Sequence, residues 1–504
     1  MSEDLCPEIE GIPERIGKPG HMEDRLIAND SSQWDCRSSR RSFLGAAVGA
    51  VAASLTASPS ALAEDILLQP VIDQKATRVR YSLHVEGILT AASPSGSKDF
   101  TIKSDATFDF RQRQFASDSS GPFALRAVRE FLTAQSDTTV GGEKSTPVVL
   151  PQQSKIIQVF GQDNSLVQLS PDVRMTRQQV DLLEFPCDPL AVQGLLPARA
   201  LQSGSEKWNT DTWVVPMVIG IDATASQSTT CSLKSVTETT AIILFESQAT
   251  GADTGAGTDS SLVGEMTFDR KAGLITKLTA TLREKRTAGP VSRGINVTAR
   301  IDWTQEFDGQ DTSLPAAMPG EFPSDRQLLL TLTTPWRLLM LHDRYWHVVD
   351  QTTDGMMLRK VVNGSLVGQC NLRTGAQVAA GSFTSEDAFL SEIEPAVIQR
   401  SGTIRQSKVT KTESGWRLHH IQATGKVPSN TPSASGTAAG QPAPVKREET
   451  IIWDYYLCTA TTGEQFSLVF SHAESDATLF DDSVDQMLSS LTIRSARPKV
   501  ALPR

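Results

Sequence analysis

Hydrophobic and polar residues alternate with a period of two along much of the chain between Thr77 and Trp303. Tyr81, Leu83 and Val85, for example, are separated by single polar residues. Because successive side chains of a β-strand point to opposite faces of a sheet, this pattern predicts half-buried strands. We therefore expect this part of the chain to form a β-rich curved sheet or half-barrel.

Turns and short helices interrupt this pattern. Three strands of a meander are predicted at 240–245, 264–269 and 273–278, and the second turn falls at 270–273, where a glycine can adopt the positive φ of a tight hairpin. Helices are predicted only for short segments, near Ala124–Thr133 and around Arg177–Leu183 or Leu190–Leu195.

A stretch rich in Pro and Gly, Asp308–Asp325, ends the alternation and predicts a domain boundary. We expect a leader and signal peptide at 1–63, a β-rich domain at 64–307, a linker at 308–328 and a second domain at 329–497. Residues 428–444 of the second domain are small and polar, which predicts a flexible loop between two strands.

The second domain combines strand patterns with two helical ones. One helix is predicted to begin at Ser385, a good N-cap residue that is followed by two acidic residues. The other covers Phe480–Leu488, where apolar residues repeat on one helical face. Strands are predicted at 346–350, 356–362, 366–372, 404–413, 415–424, 450–459 and 465–472.

In this order of elements, Thr334–Ile493 resembles the PsbP-like family, which includes extrinsic photosystem proteins and Ran-binding Mog proteins. The shared features are the Pro335-Trp336 entry and a last helix with Phe480, Val484 and Met487-Leu488. The resemblance implies an α/β/α sandwich with a central antiparallel sheet, and therefore an α+β fold for the whole chain. It implies an accessory or docking role and assigns no functional residue.

The sequence pattern of the first domain is similar to that of uncharacterised, β-rich exported bacterial proteins. The likeness rests on Gly204 and Trp208 at a strand entry and on Phe268-Asp269 followed by Gly273-Leu274-Ile275 in a hairpin. It implies no activity.

The segment Ser39–Leu44 resembles a twin-arginine export signal. Arg40 and Arg41 form the arginine pair, and Phe43 and Leu44 follow at the expected spacing. An Ala- and Gly-rich run leads to Ala61 and Ala63, which have the small-residue spacing of a cleavage site. We therefore expect export to the periplasm or the extracellular space. The leader is long for a signal, and Met22 is an alternative start.

The net charge of the chain argues against nucleic acid as a partner, and its hydropathy argues against a membrane-spanning helix in the mature part. The chain has 48 Lys and Arg against 58 Asp and Glu, a formal net charge of −10, so no global basic field is available for nucleic acid. No stretch of the mature part approaches the roughly 20 apolar residues of a transmembrane helix.

Four cysteines follow the signal segment, two in each half of the chain: Cys187, Cys231, Cys370 and Cys458. An oxidising compartment permits disulfides within each half, while four separate buried thiols fit the same spacing. Spacing does not decide between the two.

Common catalytic and nucleotide-binding motifs are absent from the sequence. Five of the seven histidines lie in the second domain, at positions 342, 347, 419, 420 and 472. His342 with Asp343 has the composition of a base and its orienting acid, whereas His419 and His420 are predicted on opposite faces of one strand. We assign no catalytic residue, metal ligand or cofactor from this pattern.

Three hypotheses for function remain. The sequence favours a non-enzymatic exported protein that docks an envelope protein or binds an apolar ligand. The second is a metal-dependent hydrolase that uses the histidine-rich domain. The third is a lipid carrier, which requires a cavity in the first sheet lined by residues such as Ile242, Leu244, Val263 and Leu278.

Overall fold

The structure, a computed structural model, describes residues 65–72, 75–93, 96–202, 206–309, 314–318, 320–428 and 448–494. Thirteen of the strands form one antiparallel sheet. They are β1 (Thr77–Ser93), β2 (Gly96–Gln114), β3 (Arg126–Val140), β4 (Glu143–Lys144), β5 (Val148–Val149), β6 (Ile156–Gln162), β7 (Ser165–Leu169), β8 (Lys207–Trp208), β9 (Ala223–Val236), β10 (Thr240–Asp253), β11 (Ala256–Asp269), β12 (Leu274–Arg286) and β13 (Gly294–Phe307). The hydrogen-bonded order is β7-β6-β3-β2-β1-β13-β12-β11-β10-β9-β8, with β4 and β5 paired to β3.

The connection between the edge strands β7 and β8 packs on one face of this sheet. It contains α1 (Arg177–Leu183) and a short 3₁₀ turn at Ala191–Leu195, and α2 (Val214–Ile219) follows β8. Thr176 caps α1 in a reciprocal capping box with Gln179. The apolar side chains of these segments and of the sheet form a single large core.

The start of β3 corrects one prediction, because Ala124–Thr133 was expected to be a helix and Arg126–Val140 is a strand. Ala127 and Phe131 pack in the large core, while Val128 joins a small cluster with Phe115 and Leu314 on the other face. Residues 127–131 are all buried, charged Arg129 and Glu130 among them, so polar and apolar residues do not alternate here with the period of a strand.

The remaining strands form two smaller antiparallel sheets. The three-stranded sheet has the order β14-β15-β23, with β14 (Leu330–Thr333), β15 (Leu338–His342) and β23 (Thr492–Ile493). The seven-stranded sheet has the order β16-β17-β18-β22-β21-β20-β19, with β16 (Trp346–Gln351), β17 (Gly355–Val362), β18 (Ser365–Thr374), β19 (Thr403–Lys411), β20 (Arg417–Pro428), β21 (Glu448–Thr459) and β22 (Gln465–Ala473). Each of the seven strands predicted here is confirmed, with ends shifted by a few residues.

Three further helices accompany these sheets: α3 (Asp325–Leu328), α4 (Glu386–Gln399) and α5 (Ala477–Ser489). The side chain of Ser385 accepts a hydrogen bond from the backbone N of Ala388, which confirms the predicted N-cap of α4. Helix α4 packs on one face of the seven-stranded sheet, against Trp453 and its neighbours. Helix α5 packs on the other face through Phe480 and Met487, together with the three-stranded sheet.

The predicted fold class, α+β with an α/β/α sandwich, is wrong. The described chain is mostly β, with three antiparallel sheets and few helices. Each face of the seven-stranded sheet carries one helix of 14 or 13 residues rather than a layer of helices, and the face of α5 is shared with a second sheet. The helical pattern of each segment was identified correctly, but the amount of sheet around it was not.

The predicted division at 308–328 coincides with a change of sheet. The strands of the large sheet end at Phe307, and those of the smaller sheets begin at Leu330. All of the residues that the structure describes nevertheless belong to one compact unit. The predicted signal residues Arg40, Arg41, Phe43, Leu44, Ala61 and Ala63, and the loop residues 429–444, lie outside the described residues. Of the helices that are described, none has both the length and the apolar character needed to cross a bilayer.

Candidate functional site

The histidines of the C-terminal half do not meet at one point. His342 ends β15 and His347 lies in β16, while His419, His420 and His472 belong to the seven-stranded sheet. Within the ranges that the structure describes, no group of three or more His, Cys, Asp and Glu side chains is placed to hold a metal ion. The geometry thus gives the hydrolase hypothesis no assembled centre.

His420 and His472 share the carboxylate of Asp454 beneath α5. Nε2 of His420 lies 2.7 Å from Oδ1 of Asp454, and Nε2 of His472 lies 3.9 Å from Oδ2. All three side chains are buried, and His420 stacks on Tyr456 with ring centroids 4.2 Å apart. His419 instead contacts Phe389 of α4, so the two neighbouring histidines face opposite sides of the sheet as predicted. These contacts make the group part of the packing of the sheet.

The predicted pair of His342 and Asp343 is not formed through its side chains. Nδ1 of His342 lies 2.7 Å from the backbone oxygen of Asp343, and the Asp343 carboxylate accepts from Nζ of Lys360 at 2.9 Å. Burial, with the positive charge of Arg177, lowers the pKa of His347 to about 3. Burial also lowers the pKa of His342. Both imidazoles are therefore neutral at pH 7.

A charged group extends along α1, from Arg177 at its first position to Glu184 just after its last. Arg177 donates to Asp181 at 2.5 Å, to Glu184 at 3.2 Å and to the backbone oxygen of Arg344 at 2.9 Å. Glu184 is 46% exposed, yet burial raises the pKa of its carboxyl.

A second charged group lies at the tip of the β10–β11 hairpin. Arg286 pairs with Asp253 and with Glu284, and all three side chains are largely buried. Burial raises the pKa of Asp253 to about 7, although Arg286 opposes the shift; the nearby carboxylate of Asp222 adds to it. Because structural ion pairs also perturb pKa values, this shift alone does not define a catalytic group.

Four buried cysteines follow the predicted signal: Cys187, Cys231, Cys370 and Cys458. Each is a free thiol in the structure, so the disulfides considered from the sequence are not formed. Burial raises the pKa of each thiol, which suppresses the reactive thiolate.

The residues expected to line a lipid cavity lie on different faces of the large sheet. Leu278 is fully buried in the core, whereas Leu244 and Val263 are exposed. Side chains from α1, α2 and the connection between β7 and β8 pack against the inner face. The four residues therefore do not line a common cavity.

A different cleft is formed at the edge of the large sheet, where β3 and β6 pair. It has a volume of about 290 Å³ and is lined by Ser119, Phe123, Arg126, Phe160, Gly161, Gln162 and Phe322. Phe160 forms its buried part and meets Phe322 edge to face, with ring centroids 5.5 Å apart. Phe123 and Phe322 are 45% and 38% exposed. We call this site the phenylalanine cleft.

Close backbone contact builds one wall of the phenylalanine cleft. Phe123 belongs to a short 3₁₀ turn, Gly121–Ala124, that lies against Gly161 of β6. A Cβ atom at position 161 would lie 1.9 Å from the backbone oxygen of Pro122, so only glycine fits there. The backbone N of Gly161 also donates to the oxygen of Leu125 at 2.8 Å. The turn that carries Phe123 is thereby fixed to the sheet.

Sequence reasoning missed this cleft. Phe123 directly precedes the segment that was predicted to be helical, Arg126 lies within that segment, and Phe322 lies in the predicted linker. The available signal was Gly121-Pro122, a turn directly before Phe123. No local pattern joins these positions to Phe160, because the contact depends on the pairing of β3 with β6.

Comparison with known proteins does not assign the chain to a family. No family model matches it, and the search of curated proteins gave no match. A lipovitellin structure is 9% identical, with 52% of this chain and 29% of that chain covered and a TM-score of 0.29. DynF from the dynemicin biosynthesis pathway of Micromonospora chersina is 7% identical over 49% of this chain and 88% of its own, with a TM-score of 0.14. OccK11 of Pseudomonas aeruginosa is 6% identical over 81% and 97%, with a TM-score of 0.12. Scores this low do not establish a common fold, and they give the PsbP-like resemblance no support.

Proposed function

We propose that the protein is an exported, non-enzymatic accessory protein of the cell envelope that binds a small apolar ligand in the phenylalanine cleft. The observation that carries this proposal is the exposure of Phe123 and Phe322 around a cleft of about 290 Å³. Ligand pockets are concave and mostly apolar, and they span about 300–1,000 Å³. The cleft lies just below this range and suits a molecule of one or two fused rings.

The exposed rings provide the binding energy. Full burial of a phenylalanine side chain stabilises by about 1.5–3 kcal/mol. Phe123 and Phe322 have a little under half of their surface exposed, so covering each contributes about 1 kcal/mol. Together the two rings account for at least a tenfold change in affinity, since about 1.4 kcal/mol corresponds to a factor of ten.

The frame of the cleft supports binding without a large rearrangement. Arg126 and Phe160 are directly paired residues of β3 and β6, and Gly161 fixes the turn that carries Phe123. A site held by paired strands loses little conformational freedom when a ligand enters.

Binding is tested with 1-naphthalenemethanol, a neutral two-ring probe, by saturation-transfer NMR and calorimetry on the purified protein. The double variant Phe123→Ala/Phe322→Ala is expected to weaken binding at least tenfold. Phe383→Ala is the matched control, because Phe383 is a phenylalanine with similar exposure, 47%, in the C-terminal half. Unchanged binding by the double variant, or equal loss in the control, would contradict the proposal.

The export part of the proposal rests on the twin-arginine motif of Arg40 and Arg41 with Phe43-Leu44. Replacing both arginines by lysine keeps the charge and removes the guanidinium pair that the export receptor reads. The variant is expected to stay in the cytoplasm as an uncleaved precursor, while Arg37→Lys is exported normally. Cell fractionation followed by intact-mass measurement distinguishes these results.

A further inference from the structure

We infer that the ligand of the phenylalanine cleft carries a carboxylate that pairs with Arg126, an inference that rests on the function proposed above. The ligand class is therefore a small aromatic or alicyclic acid, with an apolar body against the phenylalanine rings and one anionic group. The argument depends on the charge state of the cleft and on the contrast between Arg126 and the other arginines nearby.

Arg126 is the exception among the arginines of β2 and β3. Arg129 forms a bidentate pair with Asp188, Arg111 contacts Glu130, and Arg113 donates to the backbone oxygens of 314 and 315. The half-buried side chain of Arg126 has no hydrogen bond or ion pair in the part of the chain that the structure describes. In a chain with a net charge of −10, a guanidinium without an acidic neighbour is a cation left available to an external partner.

Strand pairing places this charge beside the aromatic floor of the cleft. Arg126 lies directly opposite Phe160 in the antiparallel pair of β3 and β6, and directly paired side chains point to the same face with Cβ atoms about 4.5–5.5 Å apart. Phe160 in turn contacts Phe322. A ligand that covers the rings therefore reaches the guanidinium with a substituent on its edge.

The chemistry of guanidinium selects the anion. Its planar fork of N–H donors matches the two oxygens of a carboxylate, and this charge-assisted pair is stronger than a neutral hydrogen bond. Apolar walls reduce the local dielectric and strengthen the attraction further. Gln162 and Ser119 add neutral polar groups at the rim and no negative charge that competes for Arg126.

The test compares two probes that share the naphthalene ring, 1-naphthoate and neutral 1-naphthalenemethanol, at pH 7.5 on the purified protein. Wild-type protein is expected to bind 1-naphthoate at least tenfold more tightly than the alcohol. Arg126→Gln should remove the preference, so that the variant binds 1-naphthoate and the alcohol equally, and its thermal unfolding shows that it is folded. Arg126→Lys should restore only part of the preference, because an ammonium cannot form the bidentate pair.

Arg283→Gln is the control for net charge, because Arg283 is exposed on β12 and its loss changes the total charge equally. It should not alter either affinity. If both probes bind with equal affinity and Arg126→Gln changes neither, the carboxylate inference is overturned and the binding function stands. If neither probe binds, the proposed function fails and the inference with it.

Discussion

The buried ion pair of Arg129 and Asp188 joins the large sheet to the connection between β7 and β8, and we expect it to stabilise their packing. Arg129 is completely buried on β3 and donates to both carboxylate oxygens of Asp188, at 2.7 and 2.5 Å. Its Nε donates to Gln112 at 2.8 Å. Asp188 also accepts from the backbone N of Leu190 at 2.9 Å. One carboxylate therefore satisfies a buried cation and a buried amide.

The chain around this pair is itself constrained. Cys187 has a positive φ of 53°, a conformation that L-residues adopt rarely. Nε1 of Trp303 donates to the backbone oxygen of Cys187 at 3.0 Å, and the hydroxyl of Tyr81 donates to that of Pro186 at 2.7 Å. These hydrogen bonds hold the strained backbone, and the Asp188 ion pair adds a strong electrostatic contact beside it.

Substitution of Asp188 by Ala leaves the guanidinium of Arg129 buried without its counter-charge. Removing one partner of a buried pair costs about 3–5 kcal/mol. With an unfolding entropy of about 2.1 cal/mol/K per residue over roughly 400 residues, this cost lowers Tm by about 4–6 °C. Differential scanning calorimetry of wild type and variant measures the shift.

Two further variants test whether the loss of stability comes from the unpaired buried charge. Glu306→Ala breaks the exposed pair with Arg80, whose side chains are 50% and 60% exposed, and should lower Tm by less than about 1 °C. Arg129→Met combined with Asp188→Leu removes both charges, so it should recover at least half of the loss. The reasoning is refuted if Asp188→Ala matches Glu306→Ala, or if the double variant is as unstable as the single one.

Three other predictions follow from buried groups. The pKa of Asp253 is raised to about 7, so the protonated carboxyl stabilises the folded state at low pH, and this contribution is lost as the pH rises from about 4 through 7. The Tm of the wild type relative to that of Asp253→Asn should therefore fall over this pH range. A difference in Tm that does not depend on pH would contradict this expectation. Gly161→Ala forces a Cβ atom against backbone and should destabilise by about 1–3 kcal/mol and weaken 1-naphthalenemethanol binding, while Gly309→Ala, which meets open space, should do neither. Iodoacetamide should label four buried thiols only after denaturation, as located by peptide mapping: Cys187, Cys231, Cys370 and Cys458. Labelling of any of them in the native protein would show that its site opens to solvent.

Local patterns predicted the strands and helices of the C-terminal half well. Strand β21 has Tyr455 on the face of α4 and Cys458 on the face of α5, so its pattern is readable residue by residue. The cap at Ser385 and the hairpin turn at Gly273, where φ is 62°, depend on local backbone geometry and were also predicted. What local patterns did not contain is how many strands join one sheet, because that number is set by pairings between distant segments such as β1 and β13.

The same limit explains why the histidines drew attention and Arg126 did not. Histidines at 342, 347, 419, 420 and 472 are concentrated in one half of the sequence, but the sheet places His419 and His420 on opposite faces and pairs His420 with Asp454. Arg126 is one of 48 basic residues, and its significance comes only from what surrounds it. Three long-range facts are needed: that β3 pairs with β6, that Phe322 returns to the same edge, and that every other arginine of β2 and β3 is already engaged. The proposal for Arg126 therefore depends on the partner that its side chain lacks in the described part of the folded chain, and sequence composition does not hold that information.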